Sequence, residues 1–152
     1  MKKLAILIPL LAVSCAAPKG PLKVYEGEAM PLSNISEIRG SNLCDGNHRV
    51  YGETRITKVD GKSASSFSSG YQRDLQIKPG THGITVYWFY GGLRTENKVT
   101  LPLEAKAGHR YIVRANTDYA KKVSFGIEDQ GPNSTVKPFQ PMKENGEPSN
   151  CY

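Results

Sequence analysis

Between Leu75 and Ile127 the chain alternates apolar and polar residues in five stretches: Leu75 and Ile77; Ile84, Val86, Trp88 and Tyr90; Val99, Leu101 and Leu103; Tyr111, Val113 and Ala115; Val123, Phe125 and Ile127. A period of two sends successive side chains to opposite faces, so each stretch predicts a strand with one apolar face. Pro79-Gly80, Gly91-Gly92, Ala107-Gly108 and Asp118 to Lys121 lie between them, all short enough for antiparallel hairpins. Upstream, Thr54 to Val59 runs as a further strand into the turn pair Asp60-Gly61. The pattern predicts an all-β domain, a small antiparallel β-sandwich or open barrel with meander connections.

The remaining segments are less periodic. Leu22 to Glu26 reads as a first short strand, while Leu32, Ile35 and Ile38 fall at helical spacing behind Ser33 as N-cap, predicting one short N-terminal helix. Lys62 to Gly70 is serine-rich and reads as a loop. After Asp129 the alternation stops, and four prolines with Asn145-Gly146 make residues 130–152 an irregular C-terminal tail. The β domain is thus expected over residues 22–129.

Residues 1–14 have the layout of a leader: Lys2 and Lys3, then an apolar run from Leu4 to Val13 that is too short to span a bilayer. The run ends in Ala12-Val13-Ser14-Cys15, which resembles the lipobox of bacterial lipoproteins. The resemblance implies a diacylglyceryl group on the Cys15 thiol, cleavage before that residue and acylation of the new amino group. Two or three chains hold a protein on a membrane where one is marginal. An ordinary secretory leader cut elsewhere is the alternative. Ala16 stands where an inner-membrane-retained lipoprotein often carries Asp, so the expected location is the outer membrane of the cell envelope. Residues 15–21, with two prolines and a glycine, have the composition of a lipidated tether.

Twenty Lys and Arg against fourteen Asp and Glu give a formal charge of +6, and the leader takes two lysines with it. The remaining +4 suits anionic surfaces, but export to the envelope excludes nucleic acid as a partner. Ile56 to Lys62 (ITKVDGK) followed by Leu75 to Val86 (LQIKPGTHGITV) is similar to the turn-and-strand pattern of PEGA-like and transthyretin-like β domains of small bacterial lipoproteins. That resemblance covers roughly a third of the mature chain. It implies a fold and an envelope location, and carries no catalytic residues.

Chemistry is sparse. His48, His82 and His109 are far apart, and none has a His or Cys at metal-ligand spacing, so no metal or cofactor is expected. His82 and His109 follow turn glycines and read as strand-edge polar residues. No nucleophile elbow, phosphate loop or Cys-x-x-Cys occurs, and Asp45, Asp60, Asp74, Asp118, Glu128 and Asp129 border turns, where carboxylates cap backbone groups. With Cys15 lipidated, Cys44 and Cys151 remain as an even pair in an oxidising compartment and are expected to form a disulfide.

Strand parity gives one candidate binding face. If the apolar sets point inward, Tyr87 and Phe89, Lys98, Arg110 and Arg114, and Lys122 point outward, and adjacent hairpins would gather them into a basic aromatic patch. The plainer reading makes them solvated charges and aromatics under a second sheet. The expected function is a membrane-anchored, non-catalytic binding or structural module with an envelope protein or glycan as partner. A hydrolase whose residues converge only in the fold, or a lipoprotein inhibitor of a host enzyme, are the alternatives.

Overall fold

A computed structural model describes residues 21–44, 50–64, 67–68, 71–72, 74–91, 93–95, 98–117, 122–133 and 142–143. The leader, Cys15, Cys151 and most of the expected tail lie outside these residues. In chain order the strands are β1 (Leu22–Lys23), β2 (Ser36–Gly40), β3 (Asn42–Cys44), β4 (Val50–Val59), β5 (Lys62–Ser63), β6 (Phe67–Ser68) and β7 (Tyr71–Gln72). They continue as β8 (Leu75–Ile77), β9 (Gly80–Tyr90), β10 (Leu93–Arg94), β11 (Val99–Ala105), β12 (His109–Thr117), β13 (Val123–Pro132) and β14 (Met142–Lys143).

The domain is the expected all-β sandwich. One sheet has the order β1-β8-β2-β12-β13 and the other β10-β9-β4-β3-β14, with β11 beside β9 and β5 beside β4. Their facing sides share one core. Ile38, Leu75 and Val113 from the first sheet and Ile56, Ile84 and Val86 from the second are each at most 1% exposed and belong to a single apolar cluster. Each such side chain contributes about 1.5–3 kcal/mol by leaving water. The inward parity read from the sequence holds at these positions. Tyr90 and Val99, at the ends of their strands, are instead 41% and 38% exposed.

The four spacers divide into two kinds. Gly91-Gly92 closes a hairpin, with Leu93 opposite Tyr90, and the 118–121 spacer joins the antiparallel pair β12 and β13. Pro79-Gly80 and Ala107-Gly108 instead carry the chain from one sheet to the other, because β8 and β12 belong to the first sheet while β9 and β11 belong to the second. Asp60-Gly61 is the tight hairpin turn expected, with φ of 53° and 76° and Val59 opposite Lys62. Both positive values suit a two-residue turn whose twist matches the strands it joins.

Three expectations are corrected. The helix expected over Leu32 to Ile38 is a single 3-10 turn, Leu32–Asn34, followed by β2. β2 lies between β8 and β12, antiparallel to one and parallel to the other, and both of its faces are covered; Ile35, Ser36, Glu37 and Ile38 are all buried. The serine-rich segment includes β5, and Phe67–Ser68 pairs with Tyr71–Gln72 just beyond. The β structure does not end at Asp129, since β13 runs on to Pro132 although its alternation breaks at Glu128 and Asp129, and Met142–Lys143 joins the second sheet parallel to β3.

Ser41 links the two sheets where β2 passes into β3. Its N–H donates to Val113 O at 2.8 Å, its carbonyl accepts from Thr54 N–H at 2.8 Å, and its hydroxyl meets that of buried Thr54 at 3.2 Å. Nearby, a Cβ on Gly52 would lie 2.7 and 2.8 Å from the Trp88 ring, which is 5% exposed. Gly52→Ala is therefore expected to push that ring out of place and cost about 1–3 kcal/mol, a loss read directly from thermal or denaturant melting. An unchanged melt would show that the ring has room to move.

Candidate binding cleft

At the end of the sandwich where β4 stops and β9 begins, a cleft of about 490 Å³ opens between the two sheets. Val24, Val59 and Ile77 supply its apolar floor, Tyr25 one wall, and Asp60, Lys78 and His82 polar groups of the other. The register that pairs Val59 with Ile84 brings the Asp60 turn beside the start of β9. There the N–H of Asp60 donates to Gly83 O at 2.9 Å, and the Gly83 N–H donates to Asp60 Oδ1 at 2.8 Å.

His82 ties the cleft wall together. Its Nδ1 lies 2.7 Å from Asp60 Oδ2 and its Nε2 lies 2.7 Å from the Lys78 carbonyl oxygen. The ring thus bridges the β4 turn and the β8 to β9 connection, and neither nitrogen is left for an incoming substrate. Burial works against the Asp60 carboxylate, but the hydrogen bonds from His82 and Gly83 outweigh it and hold its pKa below the ordinary value. Across the cleft, Tyr25 gathers cations: Lys23 Nζ lies 5.2 Å and Lys78 Nζ 5.9 Å from its ring centre. Met30 N–H donates to the Tyr25 hydroxyl at 3.1 Å, which fixes the ring.

A second histidine–aspartate pair sits at the same end of the sheets. His109 Nδ1 is 2.9 Å from Asp129 Oδ1, and Gly131 N–H donates to that oxygen at 2.9 Å. Asp129 is also held low: desolvation is outweighed by His109, Gly131 and Lys106. Glu128 is lowered chiefly by its hydrogen bond from Arg114. A carboxylate with a depressed folded pKa contributes stability that is present above the unfolded value, near 4, and is lost as pH falls through the folded one. Melting temperature should therefore fall below about pH 4, and less steeply in His82→Ala, where the His82 share of the support for Asp60 is gone and only that of the Gly83 N–H is left. Parallel pH profiles for the two proteins would refute the His82 contribution.

The face expected from strand parity is not one surface. Tyr87 and Phe89 point outward from the second sheet, whereas Arg110 and Arg114 point outward from the first, so the core separates them. β9 and β11 are hairpin neighbours as expected, but β12 crosses into the other sheet. Lys98 and Lys122 are exposed just before β11 and β13, again on different sheets. Several of these groups are also engaged. The Arg55 guanidinium lies 4.4 Å from the centre of the Phe89 ring, donates to Tyr87 Oη at 3.3 Å and pairs with Glu53. Arg110 donates to Glu37 at 2.7 and 3.2 Å, and Arg114 donates to Glu128 at 2.5 Å.

Among the described residues, no group of three or more His, Cys, Asp or Glu is placed to hold a metal ion. The cleft was missed because its parts come from three separate segments, and the local pattern of each gives no sign that they meet. Compared with known protein families, curated proteins and solved structures, the chain matches none.

Proposed function

We propose that this chain is a membrane-anchored, non-catalytic binding module of the bacterial cell envelope, held at the outer membrane by lipid on Cys15 and engaging its partner through the cleft beside Tyr25. One observation carries the reading: the cleft is tied to the anchor by a short stretch of chain. Tyr25 follows Cys15 by ten residues. An extended chain covers at most about 3.5 Å per residue, which keeps the cleft within roughly 35 Å of the lipid. A binding site held that near a membrane acts at very high local concentration on anything fixed to the same envelope layer.

A binding role suits the polar groups of the cleft better than hydrolysis does. Both nitrogens of His82 already face acceptors, and Asp60 accepts from His82 and Gly83 together. Such groups hold a shape; a general base needs a free nitrogen or oxygen within reach of the proton it removes. Two measurements test the reading. A clickable fatty acid fed to cells should label the wild type and not Cys15→Ser, and labelling that survives the substitution would remove the anchor. A photo-crosslinking residue in place of Glu26, whose side chain is 94% exposed at the cleft rim, should capture a partner in living cells. Absence of any protein or glycan adduct would remove the binding role.

A further inference from the structure

The cleft is small, partly apolar and bordered by both donors and acceptors, and this combination selects among ligand classes. Glu26 offers carboxylate oxygens, while Lys62 and Lys78 offer ammonium groups, all around one apolar floor. A ligand meeting all three must both donate and accept within a few ångströms, as hydroxyl groups do. Half-buried Val24 and Tyr25 present apolar surface for the C–H side of a ring to cover.

Charge narrows the class further. Asp60 is answered by His82 and the Gly83 N–H, and Glu26 is paired with Lys62 at 3.5 Å in full solvent, where such a pair is worth little. Lys78 remains: its ammonium lies over the Tyr25 ring and forms no ion pair among the described residues, whereas Lys23 donates to the Gly27 carbonyl oxygen and lies outside the lining of the cleft. An ammonium group without a carboxylate partner favours a negative substituent on the ligand.

We infer that the cleft binds an acidic saccharide of one or two rings, its sugar face over Val24 and Tyr25 and its anionic group against Lys78. The inference rests on the anchored binding module proposed above and names its ligand. A cleft of about 490 Å³ falls within the size range of sites that enclose such a molecule. The negative group is a carboxylate if the source is wall glycan, and a phosphate if the source is lipopolysaccharide.

Three disaccharides built from glucosamine separate these cases: GlcNAc–MurNAc, with a carboxylate; the deacylated lipid A disaccharide, with two phosphates; and neutral chitobiose. Calorimetric titration of the full lipidated protein in detergent micelles should find at least one acidic disaccharide bound about tenfold more tightly than chitobiose, the value of one charge-assisted hydrogen bond. Lys78→Met should abolish that preference, and since the Lys78 side chain is exposed the variant is expected to fold. Whichever acidic sugar binds identifies the source. Equal binding of all three sugars, or binding of none, overturns the inference. If none binds but the crosslinker at Glu26 captures a protein in cells, the saccharide assignment falls and the anchored module stands. If neither sugar nor adduct is found, both fall.

Discussion

Cys151→Ser is expected to lower the unfolding free energy by about 4 kcal/mol, the effect of losing the disulfide expected from the sequence between Cys151 and Cys44, which would close a loop of roughly a hundred residues. The entropy of that loop in the unfolded chain is the source of the effect, and a loop of this length lies near the top of the usual range. The C-terminal segment already lies beside the partner cysteine: Met142 and Lys143 pair in parallel with Leu43 and Cys44. Cys151 follows Lys143 by eight residues, well within the reach of an extended chain. Denaturant melts of wild type with and without reductant should differ by the same amount as wild type and Cys151→Ser. A thiol assay on unfolded, unreduced protein should find none free. Two reactive thiols per chain would refute the bridge, and one would indicate a disulfide to another molecule.

The strands were legible because period two is a strong signal wherever one face is core and the other is not. Ile84, Val86 and Trp88 are inward with Thr85 and Tyr87 between them, and Tyr111 and Val113 flank a residue that points the other way. Alternation says which residues share a face of one strand; it does not say which sheet the strand joins. Glycine does not resolve this either. Gly80 and Gly108 at the sheet crossings have φ of 125° and 72°, and Gly91 and Gly61 in the hairpins are likewise positive. The patch of Tyr87 with Arg114 failed on that ambiguity alone.

β2 was misread for a different reason. Ile35 and Ile38 are three apart, as on a helix, but Ser36 and Glu37 between them are buried as well, so no polar face marks the period. A strand covered on both faces in a mixed sheet loses the alternation that identifies it. Its pairing with β12 joins residues more than seventy positions apart, Glu37 with Arg110, and no local pattern reports that. The cleft was hidden in the same way, since Tyr25, Asp60 and His82 meet only after β4 and β9 have paired.

Glu37→Leu is expected to destabilise the fold by about 3 kcal/mol, and adding Arg110→Leu to restore most of that loss. The two side chains are 5% and 19% exposed on the outer face of the first sheet, and Ile112 beside them is 1% exposed, so the pair sits under cover. Removing the carboxylate alone leaves a guanidinium in that setting without the Glu37 Oε2 that accepts from both its Nε and Nη2. Removing both leaves two apolar groups where a charge pair had been desolvated, which is often neutral. The same face holds Arg39 and Asp74, 3.5 Å apart. Burial raises the Asp74 pKa, Arg39 and Arg110 oppose the rise, and Glu37 adds to it. A carboxylate raised on folding contributes stability that is full below its unfolded value and is lost as pH rises through the folded one, opposite in sign to Asp60 and Asp129. In Glu37→Leu the repulsion on Asp74 is gone, so its ionisation weighs less against folding, whereas in Arg110→Leu it weighs more. The stability gap between the two single variants should therefore be smaller near pH 3 than near pH 7. Additive losses in the double variant would show that Glu37 and Arg110 act separately, and a pH dependence of the gap that survives unchanged in an Asp74→Asn background would assign it to Glu37 and remove Asp74 from the network.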